Sequence, residues 1–272
     1  PELCGEFLWG SVKNMERTQD FLYIVLPAYN EQENIEAVVA QWYPIVEAVG
    51  PESRLVIVDD GSRDKTYALL CRCAQSRPQL IALTKPNSGH GATVLFAYHY
   101  ALDPGAGYVF QTDSDGQTLP EEFWPFWEQR HRYDLVIGDR HARQDGISRI
   151  VVTKTLKVVV RICFRVSVPD ANTPFRLMEA SVLREDLALV PPDFNLSNVV
   201  LCVIYFRKHQ RVKYLPITFR PRQGGVNSLD LPKIIRIGKQ SLRDFRTIDH
   251  ESVVFSARQS NIAHKAFFGL SI

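Results

Sequence analysis

The motif D-S-D-G-Q at residues 113–117 has the side chains and the spacing best suited to chemistry. It follows an apolar run over residues 108–110 that predicts a buried strand. Side chains of an extended chain alternate sides, so Asp113, Asp115 and Gln117 converge on one cation if the extended geometry persists past the strand. Their oxygens suit Mg²⁺ or Mn²⁺, and positions remain open for substrate phosphates. The alternative interpretation is an acidic turn that caps the following helix.

The segments around this motif predict a sheet that would position it. Apolar runs predict strands, and amphipathic stretches between them predict helices, which together indicate an α/β fold with a mainly parallel sheet covered by helices. The predicted strands span 22–26, 55–58, 80–83, 108–111 and 135–137, and helices are predicted from near residues 31, 64, 89 and 119. Polar clusters follow these strands at 27–31, 59–62, 87–91, 113–117 and 138–140. Because ligands gather at the carboxyl ends of parallel strands, the clusters predict one shared site.

The composition indicates a globular domain with two halves of opposite charge. The 272 residues are 45% hydrophobic, which is enough for a sizeable core and argues against disorder. The net charge of +2 hides about −9 over residues 1–148 and about +11 over residues 149–246. A basic half is typical of phosphate binding, and an acidic half with clustered Asp is compatible with a metal.

Cysteine usage and hydropathy limit the setting in which the protein works. The five cysteines have neither zinc-site spacing nor the pattern of a disulfide framework, which favours a reducing, cytoplasmic location. Neither a run of 18 uncharged apolar residues nor a secretory signal is evident, so any membrane contact is predicted to be peripheral. Residues 1–20 are interpreted as an N-terminal extension or an expression remnant.

Two basic amphipathic segments lie in the second half of the chain. At helical spacing, Lys154, Lys157, Arg161 and Arg165 share one face of residues 148–168, opposite Val, Ile and Leu side chains. Residues 231–248 show a second stripe of the same kind. Each stripe is either a solvated face or an attachment to an anionic membrane surface, and two of them in one half favour interfacial helices at the membrane.

Seven short motifs give the chain a specific resemblance. From Leu22 to about Gly238 it resembles family 2 glycosyltransferases of the nucleotide-diphospho-sugar transferase (GT-A type) fold. It is most similar to polyprenyl-phosphate glycosyltransferases of the dolichyl-phosphate mannose synthase type. The motifs are L-P-A-Y-N-E at 26–31, V-D-D-G-S at 58–62, N-S-G-H-G-A at 87–92, D-S-D-G-Q at 113–117, G-D-R at 138–140, D-A-N-T-P-F-R at 170–176 and F-R-P-R-Q-G-G at 219–225. The resemblance implies a catalytic domain over 21–228, with a basic amphipathic helix and tail over 229–272.

The resemblance also implies a role for individual residues. The nucleotide sugar would be bound by Pro27, Tyr29, Glu31, Asp59, Asp60, Gly89 and Asp113, with Asp59 or Asp60 accepting a hydrogen bond from the base. Mg²⁺ or Mn²⁺ would be held by Asp113, Asp115 and Gln117. The acceptor phosphate would be bound by Arg140, Arg149, Thr153 and Arg222, because guanidinium groups bind phosphate bidentately. Catalysis would depend on Asp113, Asp115, Arg140 and Arg222. The glycine loop departs from the family at His90, where many members carry Lys.

The function implied is that of an inverting, metal-dependent hexosyltransferase. It would move a sugar from a nucleotide-diphosphate sugar to a polyprenyl phosphate at the cytoplasmic membrane face. The expected partners are therefore an anionic membrane surface and, for onward movement of the product, a separate membrane protein, whereas no nucleic acid is expected. A sugar hydroxyl as acceptor, with Asp139 or Asp170 as base, and a non-catalytic nucleotide-sugar-binding or membrane-binding protein are the alternatives. The pattern Gly89-x-Gly91 lacks the third glycine of a dinucleotide fold.

Overall fold

The computed structural model describes residues 20–140 and 170–220, and one seven-stranded sheet includes both ranges. The strands are β1 (Leu22–Ala28), β2 (Arg54–Asp59), β3 (Leu80–Thr84), β4 (Tyr108–Gln111), β5 (Leu135–Arg140), β6 (Arg176–Glu179) and β7 (Val212–Ile217). Their order is β3-β2-β1-β4-β6-β5-β7. All neighbouring pairs are parallel except those of β6, which is antiparallel to both β4 and β5. The predicted mainly parallel sheet and its five strands are confirmed, and β6 and β7 are additions to that prediction.

The helices in the described ranges cover both faces of this sheet. They are α1 (Ile35–Val49), α2 (Thr66–Ala74), α3 (His90–Leu102), α4 (Phe123–Trp127), α5 (Ala180–Leu187) and α6 (Ser197–Arg207), and a 3₁₀ turn (Pro120–Glu122) precedes α4. The predicted starts of α2 and α3 lie within two residues of those observed, and the start predicted near residue 119 coincides with the 3₁₀ turn rather than with α4. Helix α1 begins later than predicted because Asn30 has a φ of 55° and the N–H of Asn34 closes a turn on Glu31 O at 2.9 Å.

Strands β1, β2 and β4 are buried on both faces, as expected inside a sheet between two helical layers, whereas the edge strands β3 and β7 are partly exposed. Along β1 the side chains alternate between two cores. Leu22, Ile24 and Leu26 pack with α1 and α2, whereas Tyr23 and Val25 pack with α3 and α6. Because both faces are covered, the loops at the strand ends are the part of the sheet left open to a ligand.

An aromatic cluster supports β4 directly before the D-x-D motif. The ring of Phe110 lies 4.7 Å from that of Phe175 and 5.0 Å from that of Phe123, and both pairs meet edge to face. Trp42 of α1 packs on Phe110 at 5.6 Å and on Phe175 at 6.0 Å. All four side chains are fully buried, so the strand that leads into the motif rests on a rigid base.

None of the helices within residues 20–140 and 170–220 has the length and hydropathy that crossing a membrane requires. Both predicted interfacial helices, over 148–168 and 231–248, lie outside the described residues. The predicted N-terminal extension and the tail from 229 onward are also outside them, apart from Asp20.

Candidate active site

The carboxyl ends of six strands and the start of β6 meet at one edge of the sheet. Strands β4, β5 and β7 run in the same direction as β1, β2 and β3, because β6 is antiparallel to both β4 and β5. The register places Gln111, at the end of β4, opposite Arg176, and Arg140, at the end of β5, opposite Ile217. The antiparallel strand therefore brings residues 170–176 to the same edge as the five predicted polar clusters.

The first cluster, after β1, presents one exposed ring above buried polar contacts. Tyr29 is exposed and could stack on a planar base. Glu31 is buried; its N–H donates to Thr66 Oγ1 at 2.9 Å and its Oε2 accepts from Asn34 Nδ2 at 2.7 Å. The carbonyl of Pro27 accepts from Ser114 Oγ at 2.8 Å, which ties this cluster to the D-x-D motif.

The two carboxylates at the end of β2, Asp59 and Asp60, are buried and organise neighbouring loops. Asp59 accepts from the Thr84 hydroxyl at 2.8 Å and from the N–H of Ser62 at 3.3 Å. Asp60 accepts from Lys85 Nζ and, at 2.9 Å, from the N–H groups of Ser88 and Gly89. Burial would raise the pKa of Asp60, but the hydrogen bonds from Lys85 and Ser88 outweigh it and lower the pKa. Recognition of the base by either carboxylate stays a prediction.

The glycine loop after β3 fits closely against the chain between α5 and α6. A Cβ added at Gly91 would lie 2.3 Å from the carbonyl oxygen of Asn195 and 2.5 Å from that of Phe194, so only glycine allows this contact. Gly89 lies at the start of α3, one residue before His90. The loop and the segment around Asn195 therefore form one wall of the edge.

His90 links the glycine loop to the D-x-D motif. Its Nε2 lies 3.0 Å from Asp113 Oδ1. Desolvation opposes protonation of the imidazole, but the carboxylates of Asp113 and Asp115 outweigh it, so the pKa of His90 is raised. A divalent cation on Asp113 would oppose this effect, because its positive charge disfavours protonation of the neighbouring imidazole.

The D-x-D motif lies on a turn, and the extended geometry on which its convergence was predicted ends at Gln111. Gly116 has a φ of 71°, and the N–H of Gln117 donates to Asp115 Oδ1 at 3.1 Å, as in an Asx turn. The alternative predicted a cap on the following helix, but no side chain caps the 3₁₀ turn at Pro120. Residues 112–118 are called the D-x-D loop below.

The oxygen donors of the D-x-D loop fit a divalent cation that is shared with a substrate. In the described ranges, no three His, Cys, Asp or Glu side chains are grouped as they would be in a metal cage made by protein alone. The loop offers two carboxylates, on Asp113 and Asp115, and the amide oxygen of Gln117. Mg²⁺ and Mn²⁺ are commonly held by a few protein oxygens of this kind, and substrate phosphates fill the other coordination positions. Their metal-binding role stays a prediction.

Arg140 forms a bidentate ion pair with Asp170 at the end of β5. Its Nε and Nη2 donate to the two carboxylate oxygens at 2.7 and 2.9 Å, and both side chains are largely buried. The guanidinium also lies over the ring of Phe219, 5.0 Å from its centroid. A guanidinium has five N–H donors, and among the described residues Asp170 takes two of those of Arg140. Arg140 is therefore held in place by Asp170 and Phe219, and its role in binding the acceptor phosphate stays a prediction.

Arg176 holds the backbone that leads to this ion pair. It is fully buried, and its guanidinium donates to the carbonyl oxygens of Ala171, Thr173 and Asn198 at 2.7–3.1 Å. The D-A-N-T-P-F-R motif thus uses its last residue to fix the carbonyl groups that follow its first, Asp170. The role of Arg176 is structural, since no face of it reaches solvent.

Three predicted site residues, Arg149, Thr153 and Arg222, lie outside the described residues, and their roles stay predictions. The structure brings all the other predicted site residues to one edge. It adds Lys85, which binds Asp60, and Phe219, which lies beneath Arg140. Lys85 directly follows β3, so its position at a strand end was a usable signal, whereas nothing local in the sequence pairs Phe219 with Arg140.

Comparison with known proteins gives a family and relatives with named activities. The family model "Glycosyl transferase family 2" matches residues 23–187. Polyprenol monophosphomannose synthase of Mycolicibacterium smegmatis is 28% identical over 215 residues, which are 76% of this chain and 80% of the relative. An undecaprenyl-phosphate 4-deoxy-4-formamido-L-arabinose transferase of Edwardsiella ictaluri is 24% identical over 225 residues, and the chain spans 66% of its length.

A solved structure shares the fold at low sequence identity. Glucosyl-3-phosphoglycerate synthase from Mycobacterium tuberculosis, in complex with Mn²⁺, UDP-glucose and phosphoglyceric acid, superposes with a TM-score of 0.63. The match covers 84% of this chain and 79% of that one at 16% identity, so it is evidence for the fold alone.

Proposed function

Because the chain belongs to glycosyl transferase family 2, we propose that it transfers a sugar from a nucleotide-diphosphate donor to a polyprenyl phosphate. The family and the GT-A type fold that its motifs implied are confirmed. The choice of acceptor is supported by relatives that are named for polyprenol or undecaprenyl phosphate.

The observation that carries this proposal is the state of Arg140. Its guanidinium is fixed by Asp170 and Phe219 at the edge that also holds the D-x-D loop, and within the described residues two of its five N–H donors are bonded, both to Asp170. A positively charged group that is fixed in advance suits an acceptor that arrives as an anion, because little side-chain entropy is lost on binding. Arg149, Thr153 and Arg222 complete the proposed phosphate site.

The proposed mechanism needs little base catalysis from the protein. A phosphate monoester has its second pKa near about 6, so most of it is a dianion at pH 7 and its oxygen is already a nucleophile. We propose that this oxygen attacks C1 of the sugar opposite the leaving diphosphate, which inverts the configuration. The ring of Tyr29 would stack on the nucleobase of the donor, and Arg140 would orient the acceptor phosphate.

The residues of the D-x-D loop would place a divalent ion on the donor diphosphate. When bound, Mg²⁺ or Mn²⁺ supplies positive charge that stabilises the departing diphosphate. Asp113 and Asp115 would provide its carboxylate ligands and Gln117 an amide oxygen. His90 contacts Asp113 Oδ1 at 3.0 Å and would therefore compete with the ion for this carboxylate.

A sugar hydroxyl is the second candidate acceptor, and the geometry favours it less. A hydroxyl needs a base, for which Asp139 and Asp170 were the candidates. Both oxygens of Asp170 accept hydrogen bonds from Arg140, so a proton could reach Asp170 only at the expense of that ion pair. Asp139 is the remaining candidate for this role.

A screen of nucleotide sugars against polyprenyl phosphate tests the proposed function directly. The purified protein is incubated with each donor and lipid, with and without Mg²⁺ or Mn²⁺, and the lipid product is detected by mass. We expect a glycosylated polyprenyl phosphate with at least one donor. Transfer only to sugar hydroxyls would instead support the second candidate, and binding of nucleotide sugar without any transfer would support a non-catalytic protein.

We further propose that the protein attaches peripherally to the cytoplasmic membrane surface through residues 148–168 and 231–248. Near an anionic surface each basic side chain contributes about 1 kcal/mol to binding. Reversing the charge of Lys157, Arg161 and Arg236 to Glu should therefore abolish sedimentation with anionic vesicles at low salt. A separate membrane protein that moves the product onward belongs to the same proposal.

The matched control reverses three exposed basic residues of the acidic half, Lys65, Arg72 and Arg132, and so changes the net charge equally. The control should still sediment with the vesicles. Unchanged binding by the first triple variant would show that the two basic stripes are solvated faces.

A further inference from the structure

Three consecutive residues after β7 are each anchored to a different part of the site. Thr218, Phe219 and Arg220 are called the strap. The N–H of Thr218 donates to both carboxylate oxygens of Glu122, at 2.9 and 3.0 Å. The ring of Phe219 lies beneath the guanidinium of Arg140. The strap thus begins at the sheet edge and ends two residues before Arg222.

Gln117 anchors the last residue of the strap with two hydrogen bonds. Arg220 N–H donates to Gln117 O at 2.8 Å, and Gln117 Nε2 donates to Arg220 O at 2.8 Å. Since a carbonyl oxygen can only accept, the partner fixes which end of the amide faces the strap. In the described part of the chain, Oε1 of Gln117 accepts no hydrogen bond, so one side chain has a donor on the strap and an oxygen left over.

We propose that Gln117 is a positioning residue that couples the D-x-D loop to the acceptor side of the site. Its amide N–H holds Arg220, and the neighbouring Phe219 supports the guanidinium plane of Arg140. This proposal rests on the proposed function, in which the D-x-D loop binds the donor and Arg140 binds the acceptor phosphate.

The chemistry of the amide explains why residue 117 is Gln. A third carboxylate would be the better ligand for a hard divalent cation. A carboxylate cannot donate a hydrogen bond, however, and Glu at this position would place its oxygens against the carbonyl of Arg220. An amide oxygen binds the metal more weakly than a carboxylate does, but the amide N–H can also donate a hydrogen bond to the strap. Gln117→Glu therefore separates the two roles, because it keeps an oxygen ligand and removes the donor.

The experiment compares Gln117→Glu with Gln117→Met, which loses both roles, and with Gln75→Glu, which adds the same charge at an exposed helix end. Hydrogen exchange of the amides of residues 218–220 reports the strap, and Mn²⁺ binding in the presence of nucleoside diphosphate reports the metal site. The acceptor KM, at saturating donor and metal, reports the coupling. A thermal melt followed by circular dichroism confirms that each variant is folded.

We expect Gln117→Glu to bind Mn²⁺ at least as tightly as the original chain. The backbone amides of the strap should exchange their hydrogens faster in this variant, and the acceptor KM should rise about tenfold. Gln117→Met should also exchange faster and should bind Mn²⁺ more weakly, and Gln75→Glu should change none of the three. Unaltered strap exchange in Gln117→Glu would overturn the proposal, and so would faster exchange with an unaltered acceptor KM.

Failure of the proposed function would look different. If the original chain transfers sugar to another acceptor, the KM for that acceptor is compared between the same variants. That comparison then shows whether Gln117 couples the D-x-D loop to the acceptor side. Strap exchange and Mn²⁺ binding do not depend on which acceptor is used.

Discussion

Asp115→Ala is expected to lower turnover of the nucleotide sugar by about 100-fold or more while the protein stays folded. The reason is that a departing diphosphate needs positive charge beside it, and electrostatic stabilisation of this kind is usually the largest contribution to catalysis. The measurement is the initial rate of donor consumption across a titration of Mg²⁺ and of Mn²⁺. Excess EDTA should abolish the activity of the original chain.

A second substitution separates the charge of Asp115 from its place in the turn. Asp115 also accepts the N–H of Gln117, so alanine removes a turn contact as well as a ligand. Asp115→Asn keeps an oxygen for that N–H and loses only the negative charge, and it should be nearly as slow. Asp103→Asn, at an exposed position after α3, is the matched control and should be unaffected. Full activity in excess EDTA would contradict the metal-dependent mechanism.

Arg140→Ala is expected to lower kcat/KM for the acceptor by about 10- to 100-fold, because it removes a charge-assisted contact worth about 1.5–3 kcal/mol. Asp170→Asn should lower kcat/KM for the acceptor by less than about tenfold, because Asp170 is not a general base in the proposed mechanism. Loss of a general base would typically lower the rate by about 10² to 10⁴. The acid limb of the activity should follow titration of the acceptor phosphate near about pH 6. The measurement is acceptor kinetics at saturating donor across the pH range.

Stability has to be measured alongside these rates. Arg140→Ala removes one partner of a largely buried ion pair, and breaking such a pair typically costs about 3–5 kcal/mol of unfolding free energy. The double variant with Asp170→Ala should recover part of that loss in urea unfolding while its acceptor kinetics stay poor. A loss of three orders of magnitude in Asp170→Asn or Asp139→Asn, with the Arg140 variant near normal, would instead point to a hydroxyl acceptor.

Most of the sheet was predictable because its strands are continuous apolar runs between polar clusters. Strand β6 was not, since its four residues, Arg176–Glu179, are too few for a period and two of them are charged. The start of α1 was placed early because Asn30 adopts a left-handed backbone that the amphipathic pattern does not reveal. The edge at which the site lies followed from the parallel strands, and β6 then determined what else reaches it.

The partners within the site were much less predictable than its members. Arg140 and Asp170 were both identified, yet in competing roles, because their meeting requires β6 to lie between β4 and β5. Gln117 and Arg220 are 103 residues apart and meet only through the strap. Local patterns report which side chains a loop carries. They do not report which of those side chains will form hydrogen bonds or ion pairs with a segment that is distant along the chain.

The position of β6 also bears on how the chain folds. Strands β1 and β2 pair between residues 31 apart, such as Tyr23 and Arg54, whereas β4 and β6 pair Gln111 with Arg176. Doubling a loop costs only about 0.6 kcal/mol in closure entropy, so the longer separation matters little for stability. It matters for speed, because folding rates fall as contacting residues become more distant along the chain.

During synthesis, the donor side of the edge leaves the ribosome long before its counterpart. Residues 22–117 carry β1 to β4 and the whole D-x-D motif, but β7 and the strap emerge about a hundred residues later. Until then Gln117 has no Arg220 to hold, and the guanidinium of Arg140 has no Phe219 beneath it. A nascent chain therefore cannot assemble the complete edge. It acquires the proposed acceptor side only after the strap, residues 218–220, has been translated.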